Sequence, residues 1–282
     1  MSSRIRALAI LELLAQFPAG LALRDIAARL AIPISATDRL LAGLADGDFV
    51  TIDQGSGLIR LRVRLAALGL AYLGASGITD LVQPILDDLA KRTGELVRLA
   101  VVEGDRLTWV AKSQSTRSGL FYTPDTGTEV YLPATANGQA WLACLPNSEV
   151  QRLVEKQGIK TSGIGPNAPH DIDSLRFQVE LARAQNFATV TEAYEIGTSA
   201  IATAIRRRGQ GMPVGTVSVA GPTIRMTASR MAEISPWLLS SAEELGAAAA
   251  SSPLFALPRR AGGDAERTAL REELSAQRRP ER

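Results

Sequence analysis

The sequence predicts a two-domain α+β protein, with a helical N-terminal quarter followed by a larger part that mixes helices and strands. Three observations carry this. At 282 residues the chain exceeds one typical domain of roughly 100 to 200 residues. Through residue 45, apolar positions recur at the three- and four-residue spacing of helices. Beyond residue 95, apolar runs are joined by tight polar turns such as Glu103-Gly104-Asp105 and alternate with helical stretches.

Composition removes several function classes. Hydrophobic residues at 46% and charged residues at 21% are those of a globular chain with a core. A single Cys (Cys144) and a single His (His170) exclude a disulfide framework, Cys/His zinc clusters and any His-dependent hydrolase not built on His170. No nucleophile elbow, phosphate-binding glycine loop or cofactor signature is present, so neither an enzyme nor a cofactor is expected. The uncharged run Val130 to Ser148 is interrupted by Pro133, Asn137, Gln139 and Pro146, which argues against a membrane span. The N-terminus leads into an amphipathic pattern containing Glu12 and not into a signal peptide, so a cytoplasmic location is expected. The net charge of +2 is small, with both ends mildly basic and the middle mildly acidic.

Arg4 to Phe17 spaces Ile5, Leu8, Leu11 and Leu14 as one helix face and ends at Pro18 and Gly20. Leu23 to Leu30 is a second helix with Asp25 in its first turn, and Ala31-Ile32-Pro33 is a tight turn. Ser35 to Ala45 is a third helix, capped by Ser35 or its neighbour and closed by Asp46-Gly47. Phe49 to Ile52 and Leu58 to Leu61 flank a flexible tip and predict a hairpin.

Two short helices joined by a three-residue turn and followed by a hairpin are the pattern of a winged helix-turn-helix. There the third helix enters the major groove by its amino end while the wing holds phosphates. Ser35, Ala36, Thr37 and Arg39 are then the exposed candidates for base contacts, with Arg24 and Arg60, beside Arg62 and Arg64, for the backbone. The same periodicity also fits a plain helical bundle with a solvated face. Asp38 favours that alternative, because phosphates repel a carboxylate that neither meets a cytosine amine nor pairs with Arg39.

RALAILELL (residues 6–14) and LRDIAARLAIPISATDRLL (23–41) closely resemble the N-terminal module of the IclR family of bacterial transcription regulators. TGE (93–95), LAVVEGD (99–105), PATANGQAWLA (133–143), GTSAIATAI (197–205) and VSVAGP (217–222) resemble that family's effector-domain blocks, in order and at matching spacing. The resemblance covers roughly residues 4–250 and implies a winged helix-turn-helix (1–62), a connector helix (63–76) and an α/β effector domain of GAF-like type with an antiparallel sheet (77–252). It also implies a homodimer or dimer of dimers on a pseudo-palindromic double-stranded operator, controlling a catabolic or transport operon in response to a small organic effector. Residues 253–282, rich in Arg and Glu, lie beyond the resemblance and read as a disordered or marginally helical tail.

The remaining elements agree with that shape. Arg62 to Gly74 is helical and serves as connector; Leu81 to Arg92 is a helix that Pro84 delays or kinks and Gly94 stops. Leu96 to Val102 and Arg106 to Lys112 form a hairpin. Ala136 to Leu145, Glu149 to Gln157 and Ile172 to Gln185 are helices, the last with Asp171 as its cap. Thr198 to Ile205 and Val214 to Val219 are strands around an arginine-rich loop that reads as a solvated tip, and His170 reads as a loop residue. Cys144 reads as a buried small hydrophobe.

Thr135-Ala136-Asn137-Gly138 opens a helix, where backbone amides suit an anion. By resemblance the facing pocket positions are Val190, Ala200, Ser218 and Ala220, where relatives often carry a carboxylate, a Cys or Ser, and further Ser. Only Ser218 keeps a hydroxyl, so the pocket should be roomier and less polar. Tyr122, Val130, Tyr131 and Thr198 fall at or beside lining positions, and Glu192 lies at the mouth or in solvent. An organic effector with an apolar or aromatic body and an acidic group is expected. Two alternatives are an enzyme that carries a helix-turn-helix-like module, and a ligand-gated interaction protein that has lost DNA binding.

Overall fold

A computed structural model describes residues 2–115, 126–207 and 211–255. The chain forms two compact units, Met1–Ala75 and Ser76–Arg282. The first contains α1 (Ser3–Ala15), α2 (Leu23–Arg29), α3 (Ile34–Asp46), the hairpin β1 (Val50–Ile52) and β2 (Ile59–Leu61), and α4 (Val63–Ala75). Ile10, Leu14, Ile26, Leu41, Val50 and Ile59 make its core. Leu21 bridges to Ile59, so a third short segment joins the hairpin.

Two local features set the geometry. Ala31 turns the chain between α2 and α3 with φ +51°, which seats Ile32 inside. Gly20 takes φ +93° where a Cβ would lie 2.7 Å from Arg60 Cγ and 2.8 Å from the Ile59 carbonyl, so the hairpin can close only on glycine. The expected Ser35 cap is not formed: α3 starts one residue earlier, after Pro33, without a side-chain cap. Pro33 occupies the N-cap position itself, and its carbonyl accepts the Ala36 and Thr37 N–H groups at 2.9 Å.

The second unit is built on a five-stranded antiparallel sheet of order β4-β3-β7-β6-β5. The strands are β3 (Leu96–Glu103), β4 (Arg106–Gln114), β5 (Ala188–Thr191), β6 (Thr198–Arg206) and β7 (Pro213–Pro222). The helices are α5 (Gln83–Thr93), α6 (Ala136–Leu142), α7 (Asn147–Gln157), α8 (Ile172–Gln185) and α9 (Ala228–Ala248). Alternation gives the sheet two faces. On one, Ala200, Ala202, Ala220 and Val190 are small enough for α6 to lie against the strands through Ala136 and Ala140. On the other, Ile201, Val217, Val219 and Leu99 are fully buried, and α5 and α9 pack against these strands.

Pro84 sits at the start of α5, whose φ it suits, and the turn before it (Ile78–Val82) is wound as a π-helix. α8 has the expected cap: Asp171 Oδ1 accepts the Ser174 N–H at 2.7 Å, and Ser174 Oγ accepts the Asp171 N–H. α6 ends three residues earlier than expected. Arg183 donates to the Ala143 and Leu145 carbonyls and so satisfies the end of α6 from outside. The expected tail begins inside the fold: Pro253–Phe255 form a short 3₁₀ turn with Phe255 buried, and Ser252 Oγ donates to the Ser76 carbonyl at 2.5 Å. Residues 256–282 lie outside the described residues. No single helix among the described residues is long and apolar enough to cross a membrane.

Candidate functional site

The amino end of α3 presents Ser35 and Arg39 to solvent with Ala36 half-exposed, and Arg24 is exposed on α2. Arg39 bends back along its own helix, Nε donating to the Ser35 carbonyl at 3.3 Å. Thr37 corrects the sequence reading. It is fully buried and its hydroxyl donates to the Pro33 carbonyl at 3.2 Å, so it packs α3 onto the core instead of facing a groove. Arg60 is half-buried and already engaged, Nε donating to the Ala19 carbonyl at 2.9 Å with Asp53 at 3.6 Å. Arg62 pairs with Asp48 at 2.7 Å, and Arg64 lies over the Phe49 ring at 5.2 Å. The face that remains open for an anionic partner is Ser35, Ala36, Arg39 and Arg24, with exposed Asp38 set among them.

In the second unit a cavity of about 30 Å³ lies between the start of α6 and the small-residue sheet face. Ala136, Asn137, Val190, Thr198 and Ala200 line it as expected, joined by Arg98, Trp109, Thr135, Tyr194 and Glu195. Asn137 serves the framework: its Oδ1 accepts the Trp109 indole N–H at 3.4 Å and its Nδ2 donates to Thr216 Oγ1 at 2.9 Å. The anticipated anion seat is partly closed. Thr135 Oγ1 takes the Gly138 N–H at 3.0 Å, and Gly138 packs so tightly on Leu132 that a Cβ would overlap its backbone. Gly138 is therefore a packing residue.

Val130 also departs from the expectation, being fully buried in a separate cluster with Leu107, Trp141 and Leu153. Ser218 and Ala220 are buried on the sheet face and do not border the cavity. Tyr122 lies outside the described residues. Tyr131 reaches the site through Tyr194, the ring centroids 6.2 Å apart. Glu192, at φ +49°, points its Oε1 at the Gly197 N–H (2.9 Å) and shapes the turn carrying Tyr194 and Glu195. The sequence reading passed over Arg98, Trp109, Tyr194 and Glu195. An arginine in the middle of the apolar strand Leu96 to Val102 was the available signal.

A wider opening of about 450 Å³ lies beside the last turn of α6, α8, β6 and α9. There Arg206 Nη2 donates to Cys144 Sγ at 3.0 Å, so this arginine is held against the fold, and of the expected solvated cluster Arg208 lies outside the described residues. Burial pushes the Cys144 thiol up, and Arg206 and Arg183 offset only part of that. His170 is an exposed loop residue 3.4 Å from Asp171. Among the described residues no group of three or more His, Cys, Asp or Glu side chains could hold a metal ion.

Comparison with known proteins places these features. Residues 5–54 match the IclR helix-turn-helix domain, and residues 70–247 match the bacterial transcriptional regulator IclR C-terminal domain. The chain is 26% identical over 248 residues to the HTH-type transcriptional repressor AllR of Salmonella paratyphi A, covering 88% of this chain and 90% of AllR. The crystal structure of Thermotoga maritima IclR is 25% identical with a TM-score of 0.66, over 85% of this chain and 95% of that one. An IclR homologue from Microbacterium hydrocarbonoxydans, crystallised with 4-hydroxybenzoate, shares the fold at 19% identity and a TM-score of 0.71, over 88% of this chain and 98% of that one. With both halves matched in order and the C-terminal model alone spanning more than half its length, the chain belongs to the IclR family of bacterial transcriptional regulators.

Proposed function

We propose that the protein is a homodimeric, sequence-specific DNA-binding repressor whose affinity for a pseudo-palindromic operator is set by a small organic acid. The observation that carries this reading is the amino end of α3, which follows the tight turn at Ala31 and offers Ser35, Ala36 and Arg39 to a groove, with Arg24 beside them for phosphate. The repressor sense follows the naming of the AllR relatives. The effector class draws on the cavity under α6 and on the 4-hydroxybenzoate complex of the Microbacterium homologue.

The homodimer draws on α4. This 13-residue helix has no buried residue, and Val63, Leu68, Leu70 and Tyr72 are 53 to 81% exposed. So much apolar surface on one helix favours burial against a second copy.

Fluorescence anisotropy on a fragment from upstream of the protein's own gene tests the reading, with an unrelated fragment as control. Preference for the upstream fragment, and log affinity falling against log salt by about 0.9 per phosphate contact, is the expected result. Equal weak binding to both fragments, with and without organic acids, overturns it.

A further inference from the structure

α3 turns Thr37 and Leu41 inward, and its opposite face carries Ser35, Asp38, Arg39 and Ala42, spaced three and four residues apart and all exposed. Asp38 thus stands at the centre of the face that the proposed function lays against DNA. A carboxylate there is unfavourable by itself, because every phosphate repels it.

Pairing with a neighbouring cation would offset that repulsion, but Arg39 bends the other way, its Nε donating to the Ser35 carbonyl at 3.3 Å. Among the described residues Asp38 has no hydrogen-bond or ion-pair partner. Nor does it cap the helix, since it lies in the second turn of α3, which has no side-chain cap. Its oxygens face outward near the amino end, where recognition helices meet base edges. Ala42 and Gly43 follow on the same side, Gly43 with open space where a Cβ would stand, so no long side chain on the next turn holds the helix off.

An ionised carboxylate only accepts hydrogen bonds. In the major groove guanine offers two acceptors, and thymine an acceptor and a methyl group, so both are disfavoured. Adenine sets an acceptor beside its donor, whereas cytosine offers a donor alone, its N4 amine. We propose that Asp38 is a specificity-determining residue that accepts from a cytosine N4 amine, so that each half-site holds a cytosine at one fixed position. This rests on the reading of α3 as the recognition helix. Arg39, one position on, keeps both terminal guanidinium nitrogens without a partner among the described residues, and these suit the O6 and N7 of guanine. Elsewhere on DNA the Asp38 carboxylate meets only acceptors and phosphates, so it lowers affinity for unrelated sequence. Specificity then comes from rejection as well as from contact.

Selection from a randomised double-stranded DNA pool by the purified full-length protein tests this in wild type, Asp38→Asn and Asp38→Ala. Wild type should enrich a two-fold pattern with cytosine at one position in each half-site. Asp38→Asn should shift that position toward adenine, because an amide can span its N6 and N7. Asp38→Ala should lose the preference there and keep it elsewhere. On the selected site, fluorescence anisotropy should show wild type weakened roughly tenfold when that C·G pair becomes T·A, and Asp38→Ala weakened by less than about twofold. Asp38→Ala should also bind unrelated DNA more tightly than wild type, which a merely structural residue would not cause. Circular dichroism checks that both variants fold. The wild-type base pattern retained in both variants overturns the role of Asp38 and leaves the regulator reading standing. A wild type that enriches no sequence overturns the regulator reading, and this inference with it.

Discussion

Arg225 grips Glu95 with two hydrogen bonds, Nε to Oε1 at 2.6 Å and Nη2 to Oε2 at 2.7 Å, joining the segment after β7 to the residue before β3. Glu95 is nearly buried and Arg225 about half exposed. Replacing Arg225 with Ala strands a carboxylate in the interior, and a loss of about 2 kcal/mol is expected once solvent access on the arginine side is discounted. Chemical denaturation measures it. Adding Glu95→Gln to that variant should restore part of the loss, and no restoration would show that the pair contributes through packing alone.

Gly138 lies under Leu132 with no room for a Cβ. Gly138→Ala must push α6 away from the residue 132 backbone, an overpacking expected to cost about 3 kcal/mol. The loss should appear in the melting temperature. A variant with wild-type stability would mean that α6 shifts freely.

Much of this fold was legible because it is written in local signals: helical periods before residue 45, the Asp171 cap, Gly94 as a stop and the hairpin turn at Gly104. What was missed depends on contacts distant in sequence. α9 is rich in Ala and Ser and carries Pro236, so its period is faint until the sheet supplies a partner. Thr37 looked polar and therefore exposed, but α3 turns it inward, where the Pro33 carbonyl accepts its hydroxyl. The cavity was half legible. Ala136, Asn137, Val190, Thr198 and Ala200 were reached through the resemblance, whereas Arg98 and Trp109 come from the neighbouring hairpin, whose register sequence does not state.

Asp105, at the tip of the β3–β4 hairpin, receives Arg152 at 2.7 Å and Lys156 at 3.0 Å. The Arg152 hydrogen bond, followed by that of Lys156, outweighs the cost of burial and holds this carboxyl well below the usual carboxylate range. Because its folded value is depressed, the pair contributes fully above the unfolded carboxylate pKa, about 3.9, and the contribution is lost as pH falls through the folded value. Asp105→Asn should therefore be less stable than wild type by about 1 kcal/mol at pH 7, discounted for partial exposure. The gap should close in strong acid. A gap independent of pH would assign the loss to geometry and not to charge.

Cys144 is held as a neutral thiol by burial, which pushes its pKa up despite Arg206 at 3.0 Å. Alkylation by iodoacetamide at pH 8 should be slower than for free cysteine, since the thiolate is the nucleophile. Arg206→Ala removes the nearest offsetting charge and should slow the reaction further at fixed pH. A faster reaction in that variant would show that access, and not ionisation, limits the thiol.

Thr37 and Arg39 lie two residues apart on α3 yet should behave oppositely. Thr37→Val keeps the buried volume and removes a hydroxyl that donates only to Pro33, so stability should fall by about 1 kcal/mol while operator affinity stays near wild type. Arg39→Ala lies on the exposed face, where stability should hardly change and operator binding should weaken by about 1 to 3 kcal/mol if the side chain reaches a base edge. The salt dependence separates its two possible contacts. A slope reduced by about one, with equal loss on unrelated DNA, would place Arg39 on phosphate; an unchanged slope with loss confined to the operator would place it on a base.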